Sequence, residues 1–170
     1  MDDPTPVRTG PDAVAHVAEL IKGQRTAMVA TLDEGRIVSR PLACQETEFD
    51  GTVWFFCRST SSLAQQVNAD GTCNVAYTDE GKWVSLAGRG EIVRDVAKNE
   101  EMWSPFAKAY FGAEHDDPEV VLLKVTAESA EYWDSPGKVT QVVGIVRALA
   151  TGGTAPEGDN AIVGMPGGGQ

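Results

Sequence analysis

The stretch RIVSRPLACQETEFDGTVWFFCRSTSSLAQQVN, Arg36–Asn68, decides how the chain is read. Its pattern is a strand, an acidic turn, a second strand rich in β-branched and aromatic residues, and a hydroxyl-rich corner that opens a short helix. Phe49-Asp50-Gly51 supplies the turn and Leu63–Asn68 the helix. Arg40 and Arg58 stand near opposite ends of the two strands, so antiparallel pairing would bring them into one pocket. The serines between Arg58 and Leu63 would then sit at a helix N-terminus. First-turn N–H groups lack intrahelical partners, and the helix dipole favours an anion such as phosphate.

Working outward, Thr26–Leu32 is apolar on both faces, as a strand in a barrel wall would be. Asp33-Glu34-Gly35 turns it back into Arg36–Cys44. Pro41 cannot donate to a ladder and belongs at an edge or a bulge, where Arg40 and Leu42 would be aimed at a ligand. Upstream, Pro11 and Asp12 precede a helical pattern of Val14, Val17, Ala18, Leu20 and Ile21, ended by Gly23. Downstream, Cys73–Thr78 and Lys82–Val93 read as strands, with a barrel corner at Gly88-Arg89-Gly90. Asp95–Tyr110 is helical and broken by Pro105. Val120–Val125 is a further strand, and Ala130–Trp133 a separate short one. The valines of Lys138–Ala150 recur at helical spacing. Short strands joined by tight turns, with a few helices outside, predict a mainly β fold with flanking helices, a small antiparallel barrel. The domain spans 11–152, between a flexible N-terminus (1–10) and a flexible Gly-rich tail (153–170).

The net charge of −11 excludes nucleic acid and anionic membrane surfaces as partners, since both need a basic face. No apolar run is long enough to cross a bilayer. Cys44, Cys57 and Cys73 fall singly in apolar runs without ligand spacing, and there are only two histidines, so no metal site is expected. Buried free thiols fit a reducing compartment, the cytoplasm.

SRPL (Ser39–Leu42), FDGTVWFF (Phe49–Phe56), VSLAGRGEIV (Val84–Val93), MWSPFAKAYF (Met102–Phe111), VLLKVT (Val121–Thr126) and EYWDSP (Glu131–Pro136) occur in that order. Together, from Val14 to Gly152, they resemble the general stress protein 26 group of the pyridoxamine 5′-phosphate oxidase-like, FMN-binding split-barrel superfamily. The resemblance implies a homodimer with two FMN sites at the subunit interface. The flavin ring would lie along Ser39, Arg40, Pro41 and Leu42. Its phosphate would sit in the corner formed by Phe56, Cys57, Arg58, Ser61 and Ser62, with Trp133 and Lys138 adding contacts from a partner subunit. Relatives place a basic pair, often ending in lysine, directly after the serine matching Ser61; here those positions are Ser62 and Leu63. Arg58, with Arg36 and Arg40, would then carry the charge.

Each residue also has a plainer role. Arg40 would be a rim arginine paired with Glu46 or Glu48, one of Ser59–Ser62 would be a helix cap, and Trp83 would fill core. The activity implied is that of a flavin-dependent oxidoreductase with an unidentified small-molecule substrate and electron donor. A non-catalytic flavin-binding or sensing module is the alternative. Leu63 prompts another, a variant that prefers the deazaflavin F420 or has no cofactor. Pyridoxamine phosphate oxidation itself is not expected, because no second basic phosphate site stands near the C-terminus.

Overall fold

The structure, a computed structural model, describes residues 5–135, 147–149 and 158–166. The elements run β1 (Val7–Arg8), α1 (Pro11–Ile21), β2 (Thr26–Asp33), β3 (Arg36–Ala43), β4 (Thr52–Arg58), α2 (Ser62–Ala69), β5 (Thr72–Asp79), β6 (Lys82–Val93), α3 (Val96–Met102), α4 (Pro105–Phe111), β7 (Val120–Asp134) and β8 (Asp159–Gly164). The fold is mainly β with flanking helices, a split-barrel type whose barrel does not close. The eight strands of the described residues form one mixed sheet in the order β1-β8-β7-β6-β5-β2-β3, with β4 attached to β7 off that path.

Local chemistry sets the hairpins. Glu34 and Gly35 both take positive φ, 50° and 80°, as a tight turn matching strand twist requires, and β2 pairs β3 from Thr26↔Ala43 to Asp33↔Arg36. β3 is the last strand of the order, the position where a strand proline such as Pro41 is tolerated. Pro105 separates α3 from α4, and Asp95 and Ser104 cap them through the Lys98 and Ala107 N–H groups.

The sheet bends at one glycine. Ala87 faces Ser129 but Gly88 faces Ala127, leaving Glu128 as an extra residue in β7. A Cβ on Gly88 would stand 2.1 Å from the Thr126 carbonyl oxygen, so no larger residue fits there.

Two apolar clusters follow from strand alternation. The larger lies between the inner sheet face and helices α1 and α2, with Val17, Val29, Val75, Leu86 and Tyr132 fully buried. The smaller, built on Phe56, Met102, Phe111 and Leu122, sits beneath α3 and α4. β4 therefore feeds Phe55 and Cys57 into one cluster and Phe56 into the other, which explains a run apolar on both faces.

Several expectations are corrected. β3 and β4 share no ladder among the described residues; β4 pairs with β7, from Thr52↔Thr126 to Arg58↔Val120. Val120–Asp134 is one continuous strand rather than two, because β6 pairs along nearly its whole length. The flexible tail contains a strand: β8 pairs with β7 beyond the end of β4, and Ala161 and Val163 are fully buried. The N-terminus is held as well, since β1 pairs in parallel with β8. Arg8 donates to Asp159 at 2.7 and 3.1 Å and to the Tyr132 hydroxyl at 2.6 Å, and that hydroxyl donates to Asp159 at 3.0 Å. The predicted helix over 138–150 lies outside the described residues except for 147–149, which are helical.

Candidate functional site

Arg40 is the centre of the candidate site. It stands opposite Val29 in the β2–β3 ladder, so its side chain leaves β3 on the core-facing side. There Nη1 donates to the Thr31 hydroxyl at 2.6 Å and more weakly to the Val29 carbonyl at 3.4 Å. Nη2 donates to Gln66 Oε1 at 2.7 Å, and the Thr31 hydroxyl donates to that same oxygen at 2.7 Å. Gln66 comes from α2, whose buried residues Leu63, Ala64 and Val67 dock the helix against the sheet. Every acceptor on Arg40 is neutral, and neither Glu46 nor Glu48 reaches it. Partial burial lowers the arginine's pKa, with Asp33 acting in the opposite direction. A half-buried guanidinium without a paired carboxylate is a charge seeking a counterion.

The corner after β4 is tightly knitted. Ser61 caps α2, accepting from the Ala64 N–H at 3.2 Å while its hydroxyl donates to the Arg58 carbonyl at 2.7 Å. The Ser59 N–H donates to the Glu119 carbonyl at 2.9 Å, fastening the corner to the loop before β7. Ser59, Thr60 and Ser62 remain exposed, hydroxyls that can still meet a ligand.

The structure does not bring all predicted residues together. Arg58 turns away from Arg40. It donates to Glu119 at 3.2 Å and to the Phe111 carbonyl at 2.6 Å, and it packs over the Phe111 ring. The single pocket holding both arginines is therefore not formed, because β4 chose β7 as its partner. Leu63 is a core residue, 5% exposed, and does not face the corner's surface. Phe56 and Cys57 are likewise buried, and burial pushes the Cys57 thiol up to about 11. Leu42 packs against the core, while Ser39 and Pro41 are exposed. Lys138 lies outside the described residues.

Trp83 and Trp133 are direct partners across β6 and β7, and they remain 42% and 39% exposed. Alternation places them on the outer sheet face, the face that also carries Met28. Thr31 and Gln66 are the site residues that sequence reasoning missed. The available signal was Gln66 itself, a polar residue one turn from Leu63 on the buried side of α2.

The residues present fit a bound phosphate in part. Arg40 and the exposed hydroxyls suit one; Leu63 does not. Among the described residues no group of His, Cys, Asp or Glu could hold a metal ion, and no helix is long and apolar enough to cross a membrane.

This open mixed sheet, with Arg40 bonded to α2 on one face and paired indoles on the other, defines a split-barrel protein. Residues 12–157 match the family described as pyridoxamine 5′-phosphate oxidase like, and the chain belongs to that family. It is 26% identical over 150 residues to Protein bli-3 of Neurospora crassa, covering 80% of this chain and 72% of that one. A crystal structure described as a general stress protein 26 from Jannaschia sp. CCS1 superposes with a TM-score of 0.77 at 28% identity, over 91% of this chain and 99% of the other. The general stress FMN/FAD binding protein from Xanthomonas citri has the same fold, with a TM-score of 0.64 at 22% identity over 75% and 92% of the two chains.

Proposed function

We propose that this chain is a flavin-binding oxidoreductase of the general stress type, working as a homodimer on a small molecule in the reducing cytoplasm. The observation that carries the reading is Arg40, a half-buried cation whose partners are all neutral, beside a corner of free hydroxyls. When bound, FMN would accept and donate electrons at its ring. The protein's part is to bind and orient. Arg40 holds an anionic group of the cofactor, Thr31 and Gln66 hold Arg40, and Ser59, Thr60 and Ser62 offer hydroxyls. The outer face with Met28, Trp83 and Trp133 suits burial against a second copy, and an indole there can lie against a flavin ring. The free thiols Cys44, Cys57 and Cys73 agree with a reducing compartment.

The test is direct. Purified protein should take up FMN with quenching of its fluorescence, sediment as a dimer, and oxidise NADH or NADPH only in the flavin-loaded form. A flavin-loaded dimer without turnover would reduce the reading to a binding or sensing module. The burial of Leu63 favours a second reading, preference for F420 over FMN, which a competition between the two cofactors decides.

A further inference from the structure

We infer that Gln66 is the residue that admits an anion to the Arg40 site: as an amide it fixes the guanidinium without neutralising it. The inference rests on the flavin reading above and names the specificity determinant of that site, which selects a phosphorylated flavin over one without phosphate.

The hydrogen bonds leave one edge of Arg40 free. Nη1 and Nη2 meet the Thr31 hydroxyl and Gln66 Oε1 at 2.6 and 2.7 Å, and those two oxygens are themselves 2.7 Å apart. Oxygens that close together are reached by the two N–H groups that run parallel across the guanidinium's end. The second Nη1 N–H goes to the Val29 carbonyl at 3.4 Å. Three of the five N–H groups are then engaged. The two that remain, on Nε and Nη2, form the side-on fork, a pair of parallel donors suited to two oxygens of one phosphate. Arg40 is only partly buried and stays within reach of solutes.

Residue 66 has to accept here. A guanidinium only donates, and the Thr31 hydroxyl, which accepts from Arg40, donates onward. Glutamine and glutamate both supply such an oxygen from the same point on α2, which the buried Leu63, Ala64 and Val67 hold against the sheet. They differ by one charge, placed 2.7 Å from Nη2. A carboxylate would turn the clamp into an ion pair and set a negative charge against any anion on the free fork. An amide keeps the geometry and leaves the positive charge for the ligand. Asp33, Glu34 and Arg36 on the neighbouring turn stand in the same places in either case, so the difference lies in that one contact.

The experiment measures riboflavin and FMN binding by quenching of flavin fluorescence in the parent chain, Gln66→Glu and Gln66→Met. Circular dichroism confirms that each is folded, and a pH of about 8 keeps a glutamate at this position ionised. The parent should bind FMN at least about tenfold more tightly than riboflavin. Gln66→Glu should lose about tenfold or more in FMN affinity, with riboflavin changed by less than about twofold. Gln66→Met removes the bond and leaves Arg40 unneutralised, so it should retain more of the preference for FMN than Gln66→Glu. A purely structural clamp predicts the reverse order, because glutamate keeps the acceptor and methionine does not. That reverse order overturns the inference while the flavin reading stands. So does a parent indifferent to the phosphate, an unchanged FMN affinity in Gln66→Glu, or an equal loss there for both flavins. If the parent binds neither flavin, the flavin reading itself fails and the inference falls with it.

Discussion

Leu63→Lys tests where the corner ends and the core begins. The family resemblance sets a lysine at this place, and a surface position would accept one without cost. Leu63 is instead 5% exposed, at the second residue of α2, and it belongs to the main apolar cluster. Removing the leucine from that cluster costs about 1.5–3 kcal/mol of burial. The ammonium then has two options. It can stay inside and lose its proton, or its stem can swing past Ser62 to the surface, where the positive helix end disfavours it by roughly 0.3–1 kcal/mol. Either route predicts a loss of about 2–5 kcal/mol, a large share of the roughly 5–15 kcal/mol typical of a domain. Urea denaturation should show a midpoint lowered by about 1–2 M. Leu63→Met, which conserves volume, should cost less than about 1.5 kcal/mol. If the lysine stays inside, its folded-state pKa is depressed, the unfolded chain binds more protons, and stability should recover as pH rises towards 10. A Leu63→Lys protein within about 0.5 kcal/mol of the parent would show that this side chain is not core.

Three further outcomes are expected. Arg40→Ala should leave folding nearly intact, because Thr31 and Gln66 keep their bond to each other at 2.7 Å. Affinity for a phosphorylated flavin should fall by about 1.5–3 kcal/mol, read by titration, and an unchanged affinity would make Arg40 purely structural. Gly88→Ala should destabilise by several kcal/mol, since the new methyl meets backbone rather than a movable side chain, and a circular-dichroism melt within a degree or two of the parent would refute the bend's geometry. Burial holds Cys44, Cys57 and Cys73 protonated up to about pH 11, above the ordinary thiol value. The folded state then keeps protons that the unfolded state releases, so stability should be full below about pH 8.5 and fall as pH rises towards 11. Replacing Cys57 with alanine should flatten that decline, and an equal slope in both proteins would contradict the burial argument.

The β2–β3 hairpin could be read directly because its determinants are local: period-two apolar alternation and a Glu-Gly turn able to take positive φ. The break at Pro105 is local in the same sense. Partner choice is not. Nothing within Arg36–Arg58 says that β4 will prefer β7, since that preference comes from Val120–Leu123, some sixty residues away, burying both its faces with β4. This is why Arg40 was found but its companions were not. Thr31 is nine positions from Arg40 and Gln66 twenty-six, and they meet only once α2 docks on the sheet. Composition misled at β8, where six alternating residues stand in a Gly-rich stretch whose average hides Ala161 and Val163. Leu63 misled for a different reason. A resemblance reports which residue relatives carry, whereas the packing of Leu63 with Ala64 and Val67 reports which way this one points.

The seam that joins the two chain ends has a practical meaning. The family match covers 12–157, a span that omits both Val7–Arg8 and Asp159–Gly164. Protein cut back to those limits would lose both partners of the Tyr132 hydroxyl and bare the backbone of Ser129–Asp134 along an unprotected edge, an invitation to stick to another strand. A conserved-domain boundary is here a poor guide to where the folded unit can be shortened.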